Sequence, residues 1–307
     1  MTLAPALPAW GFSQRTGTGR LLASLTRWIE YLAGAVLALD VAVVFTSVVF
    51  RYFLHDPVDW AEEIARALML VLVFLGAATV LARSQHVGVD LFRGFFPPAW
   101  QLLMVHAGHW IIAAVSAGLF MSSCLLLVDS YGQTTSIGLP QWMYVYPVVF
   151  GSLMMTVFGV ANAVHGPARA VWTSLAGCTV LGALVFGWNA VQPAHAIPHG
   201  LLLACGFFGG LVLGVPIGFV LAFSSLLYFL SDPSLPMLVY SQQVMAGSDH
   251  FVLLAIPFFV LAGLVMEANG MSARLIELLL RMFGRVRGGM GLITILATAF
   301  FSGVSGS

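Results

Sequence analysis

The chain has 307 residues, of which 60% are hydrophobic and 8% charged, and its mean hydropathy is +0.98. A packed soluble domain carries far more charge, so the composition excludes one and points to an integral membrane protein. All twelve positive side chains are Arg, balanced by 12 Asp plus Glu, so net charge says nothing about a partner; nothing resembles a nucleic-acid site, and the absence of a Walker loop argues against an ATP-driven pump within this chain.

Residues 1–27 carry Arg15, Arg20 and Arg27, and no cleavable signal peptide is apparent. A membrane span needs about 20 apolar residues. Trp28–Phe53, Ile64–Leu81, Leu102–Val128, Met143–Val164 and Ala170–Val191 supply five. The next apolar stretch, Ala196–Leu230, is 35 residues long and is broken by Gly214-Val215-Pro216-Ile217-Gly218. Phe251–Met266 follows, then an amphipathic segment over 272–287, then an apolar end. Cys124, Cys178 and Cys205 lie in apolar runs and read as small packing residues.

Charge decides whether Ala196–Leu230 is one span or two. With the N-terminus inside and a tight turn at Gly214–Gly218, residues 231–250 form an outer loop. Ten of the twelve Arg then lie on the cytoplasmic side, with Arg51 and Arg66 outside. A single span divides them evenly, so the positive-inside rule favours the turn. Both halves are short for a bilayer, so flanking residues are expected to snorkel or the bilayer to thin. In the 272–287 segment, Arg274, Glu277, Arg281 and Arg285 share one face, and Leu275, Leu279, Met282 and Val286 another. That pattern predicts an interfacial helix with Ser272 as N-cap and Gly288-Gly289 as its stop.

Four polar constellations stand out. His55–Arg66 is an acidic, Trp-bearing outer segment in which Asp59, Glu62, Glu63 and Arg66 have helical spacing. It reads either as an interfacial helix start with Trp60 at the headgroups or as a docking surface for a soluble partner. Gly132–Trp142 is a polar outer loop. Asp40 is an acid within the first span, with His106 and His109 as possible partners, and reads as a polar interhelix contact or a proton relay. The end, Ser302-Gly303-Val304-Ser305-Gly306-Ser307, favours unwound backbone at membrane depth, where hydroxyls and carbonyls can coordinate a hard cation; close helix packing is the alternative.

Together these pieces resemble the TRAP transporters (tripartite ATP-independent periplasmic transporters), as a fusion of the small and large membrane components. Trp60-Ala61-Glu62-Glu63-Ile64-Ala65-Arg66, Phe74-Leu75-Gly76-Ala77, His86-Val87-Gly88-Val89-Asp90 and Leu139-Pro140-Gln141-Trp142 carry the small-component likeness. Leu213–Gly218, Ala255-Ile256-Pro257-Phe258-Phe259 and Ser302–Ser307 carry the large-component likeness. The resemblance implies an all-α polytopic bundle: a cytoplasmic segment 1–27, a small component over 28–169, a connecting span over 170–197, and the opening part of the large component over 198–307. That part would be a partial elevator-type domain ending in a re-entrant hairpin. It further implies sodium-driven import of organic acids such as dicarboxylates through a bacterial inner membrane, with a periplasmic solute-binding protein as partner, membrane lipids around it, and no cofactor beyond Na+. Ser302, Gly303, Ser305, Gly306 and Ser307 would lie near sodium and substrate, with Pro257 shaping the adjacent helix. Asp59, Trp60, Glu62, Glu63 and Arg66 would face the binding protein. The large component normally continues beyond residue 307, so the chain reads as a fragment expected not to transport alone. A bracing scaffold without a substrate site is the rival; an enzyme built on Asp40, His106 and His109 is disfavoured, because no nucleophile is paired with a base.

Overall fold

The computed structural model describes residues 17–83, 96–191, 197–284 and 288–305. The His86–Asp90 motif, Arg15, Arg93, Arg285, Arg287, Gly306 and Ser307 lie outside the described residues. The chain folds into eleven α-helices among those residues: α1 Gly17–Val49, α2 Asp59–Ala82, α3 Pro98–Asp129, α4 Trp142–Val164, α5 Ala168–Val191, α6 His199–Val212, α7 Ile217–Ser231, α8 Met237–Ser248, α9 Ala255–Ala268, α10 Met271–Phe283 and α11 Gly289–Ser305. A π-helical turn, Phe50–Leu54, ends α1, and a 3₁₀ turn, Phe251–Leu254, precedes α9. Five helical stretches are long and apolar enough to cross a bilayer: Arg20–Leu54, Asp59–Ala82, Trp100–Asp129, Trp142–Val164 and Ala168–Trp188. These are the five expected spans. They belong to two compact units, Met1–Val36 with Leu70–Gly247, and Leu37–Met69 with Ser248–Ser307, each drawing on both halves of the sequence.

In the first unit α3 is the central helix, packed on α4, α5 and α7. Small residues set the distances. A Cβ on Gly151 of α4 would sit 2.5 Å from Phe74 Cβ and 3.1 Å from its backbone, so α2 and α4 meet nearly backbone to backbone. Buried hydroxyls of Ser123 and Ser152 meet 3.3 Å apart between α3 and α4. Asn162 donates to the Leu81 carbonyl at 3.0 Å, satisfying an acceptor in the last turn of α2, and Trp110 donates to Val171 at 3.3 Å. Just past the same end of α2, Arg83 grips Glu30 of α1 through two contacts of 2.6 Å, a forked pairing. The Gly132–Trp142 segment closes on itself through an isolated bridge between Thr134 and Pro140, with Thr135 N–H donating to Leu139 at 2.8 Å.

The break at Gly214–Gly218 is a helical hairpin, as the sequence predicts. Gly214 takes φ 73°, Pro216 caps α7, and α6 packs along α7. A Cβ on Gly206 would lie 3.2 Å from Ser224 Cα, and His199 Nδ1 meets Ser231 Oγ at 2.9 Å, so the hairpin is closed at its open end too. With 14 and 15 residues, each arm is about 21–23 Å long at 1.5 Å per residue. The segment expected as a loop at 231–250 is largely helical: after an Asp232 turn, in which Ser234 donates to the carboxylate at 2.6 Å and holds it below the usual carboxylate range, the chain forms α8. Tyr240 on α8 is buried and donates to the Ala222 carbonyl of α7 at 3.1 Å, and that packing lets a weakly apolar segment become helical.

In the second unit α9, α10 and α11 pack together. The amphipathic pattern of α10 holds, with buried Leu279 against Ile293 and Ala297 of α11 and an exposed Arg281–Glu277 pair opposite. Its ends differ from expectation. Gly270 at φ 69°, not Ser272, precedes it, because a left-handed residue turns the chain off α9. It stops at Phe283 with Gly284 as C-cap, ahead of Gly288-Gly289, and Gly288 at φ 78° instead opens α11.

Replacing Gly151 by Val should force α2 and α4 apart and cost about 1–3 kcal/mol. Thermal unfolding in detergent will read this as a lower midpoint; an unchanged midpoint would mean the close approach does not exist.

Candidate functional site

The acidic segment starts where α1 ends. The π turn finishes at His55, a non-glycine residue in the left-handed region with φ 56°, which reverses the chain into Asp56-Pro57-Val58 and α2. Asp59, Trp60 and Glu62 are exposed on the first turn of α2, whereas Glu63 and Arg66 are half-buried. Arg66 lies 3.5 Å from Glu62 and reaches 4.0 Å to Asp249. The predicted docking set therefore divides: three residues face outward, and Arg66 is turned onto the segment before the 3₁₀ turn.

Beside that segment is a cleft of about 800 Å³. Val44 and Val48 of α1, Ala65 of α2, and Phe258 and Phe259 of α9 form much of its apolar wall; Arg51 and Glu62 are its charged residues. Sequence reasoning missed it, since no local pattern marks a space enclosed by three distant segments.

Asp40 is fully buried, and neither carboxyl oxygen has a hydrogen-bond partner among the described residues. The expected polar contact through Asp40 is therefore not made as a hydrogen bond to a described residue. His106 is buried in the first unit, where the missing side chain of Gly166 makes room for its ring.

The serine-rich end is also corrected in part. Ser302, Gly303 and Ser305 continue α11 rather than unwinding it. One interior Gly costs only about 1 kcal/mol in a helix, less than the packing of α11 on α9 and α10 returns. Ser302 is half-buried and Gly303 exposed. Pro257 occupies the first turn of α9, where a missing N–H leaves no bond unmade, and its helix packs on α11.

Comparison with known proteins decides the family. Residues 40–169 match the model for tripartite ATP-independent periplasmic transporters, DctQ component, and residues 204–307 match that for the DctM component. The chain belongs to the TRAP transporter permeases. It joins the small-component and large-component regions on one polypeptide, and it is a multi-pass membrane protein. It is 31% identical, over 90% of its length, to the isethionate TRAP transporter permease DctMQ of Oleidesulfovibrio alaskensis, of which it covers 45%. It is 23% identical, over 91% of its length, to the sialic acid TRAP transporter permease SiaT of Haemophilus influenzae, of which it covers 47%. Over 101 residues, 32% of the chain, it is 40% identical to the C4-dicarboxylate TRAP transporter large permease DctM of Vibrio cholerae, covering 22% of it. The chain thus spans about half the length of its fused relatives.

Asp40 makes no hydrogen bond with a described residue, so its carboxyl contributes none to the described fold. Asp40→Leu should keep or raise thermal stability in detergent. A loss above about 1 kcal/mol would reveal a structural partner.

Proposed function

We propose that this chain forms part of a sodium-driven permease that imports organic acids delivered by a periplasmic solute-binding protein, in a bacterial inner membrane with the N-terminus cytoplasmic. The observation that carries the reading is the order of the two matched regions, small component then large, on one chain. The fused relatives carry names for isethionate and sialic acid, and a large-component relative for C4-dicarboxylates; all three are organic acids.

Asp59, Trp60 and Glu62 would meet the binding protein. They are exposed together, and their negative charge suits a basic patch on a soluble partner. Ser302, Gly303 and Ser305 would bring hydroxyls and a close backbone toward Na+ and a carboxylate, with Gly306 and Ser307 continuing the set and Pro257 fixing the start of the neighbouring helix. Those residues supply no carboxylate, so the ion would be held by neutral oxygen ligands, the hard donors that suit such a cation.

Deleting the gene in its host should abolish sodium-dependent uptake of one acid from a panel of isethionate, sialic acid and C4-dicarboxylates, and uptake should also require the binding protein. Uptake that persists unchanged, or that runs on a proton gradient without sodium, would overturn the proposal. Orientation has its own test. Ser234 is exposed in the turn after α7, and Ser234→Cys should react with impermeant maleimide from the periplasmic face; labelling only from the cytosol would reverse the threading.

A further inference from the structure

We propose that Arg66 and Asp249 form an electrostatic lock that seams the small-component region to the large-component region. Arg66 lies in the stretch matched to DctQ and Asp249 in the stretch matched to DctM. Both belong to the same compact unit.

Three observations converge. The guanidinium lies 4.0 Å from the carboxylate, with side chains 35% and 30% exposed, so the pair is far from a freely solvated surface contact. Arg66 Nε and Asp249 Oδ1 are both buried without a hydrogen-bond partner among the described residues. One unpartnered donor and one unpartnered acceptor thus sit on the two halves of the same ion pair. Arg66 Nη1 faces Asp249 Oδ2 while Nη2 is turned to Glu62, so at 4.0 Å the pair is held by charge rather than by a fork, and the two unpartnered atoms make each charge depend on the other. Beneath the charges lies an apolar cluster of the same parentage. Leu253 and Leu254, in the 3₁₀ turn after Asp249, pack with Val43 and Val44 of α1 and with Ala65 and Met69 of α2.

Among the described residues, Glu62, Glu63 and His250 are further charged or titratable groups around the pair. Glu62 holds Arg66 from its own helix at 3.5 Å, which keeps the guanidinium aimed along one side of α2. The apolar cluster supplies the adhesion. The ion pair sets the register, because sliding the turn along α2 strands a half-buried charge on each side. Arg66 is thereby a positioning residue of the permease body. The exposed Asp59, Trp60 and Glu62 are left for any soluble partner.

The test uses the whole chain in detergent without binding protein, with Cys124, Cys178 and Cys205 replaced. A reporter Leu254→Cys sits in the seam, and a control Leu279→Cys sits between α10 and α11. Arg66→Glu and Asp249→Arg should each speed maleimide labelling of the seam cysteine by about fivefold, equivalent to ~1 kcal/mol, and leave the control unchanged. Combining the two reversals should return labelling to within about twofold of the parent. The milder Arg66→Gln and Asp249→Asn serve if a reversal prevents folding, and each should accelerate only the seam. No acceleration, no rescue in the swapped pair, or equal acceleration at both cysteines each overturns the proposal. Because no solute, sodium gradient or binding protein enters the assay, its result is independent of the transport reading.

Discussion

A peptide group in hydrocarbon has no water to bond, so each N–H and C=O must find its partner within the chain. Everything else in this fold follows from that requirement. It makes the described residues helical nearly throughout. It governs the polar side chains the spans retain, which bend back onto their own helices: Thr26 donates to Leu22, Thr46 to Ala42, Ser122 to Leu119 and Thr298 to Thr294. These hydroxyls are neutral to the bilayer because they are already satisfied. Asp40 is the contrast, a buried acid whose carboxyl oxygens have no hydrogen-bond partner among the described residues.

With the backbone satisfied helix by helix, association depends on how closely the helices approach. Between α2 and α4, and between α6 and α7, glycine brings main chain against main chain, and the Ser123–Ser152 contact tightens α3 on α4. Outward, α1 carries bulky side chains such as Trp28 and Phe45, respectively 70% and 69% exposed, as a lipid-facing helix does. By charge, Glu30–Arg83 and Arg66–Asp249 each tie distant parts of the sequence.

The sequence made the spans and the hairpin legible because both rest on local signals: apolar length, and Pro with Gly in a five-residue turn. It mislaid α8 because a segment holding Gln242, Gln243 and Ser241 earns its helix from Tyr240 packing on α7, a contact formed 18 residues away from its partner. Ser302 and Gly303 pointed toward unwinding by composition, but the packing of α11 outweighs that preference. The acidic segment was recognisable as a unit. Its division into outward Asp59, Trp60 and Glu62 and inward Arg66 was not, since Asp249 lies far along the chain. The cleft beside it follows the same rule.

The α6–α7 hairpin has a consequence for the cell that carries it. Arms of 14 and 15 residues fall short of a hydrocarbon layer about 30 Å deep. A host that lengthens or saturates its acyl chains, as cells do on warming, therefore loads this hairpin mechanically while the longer helices α1 to α5 change tilt. Growth temperature and fatty-acid supply thereby reach the permease through this hairpin.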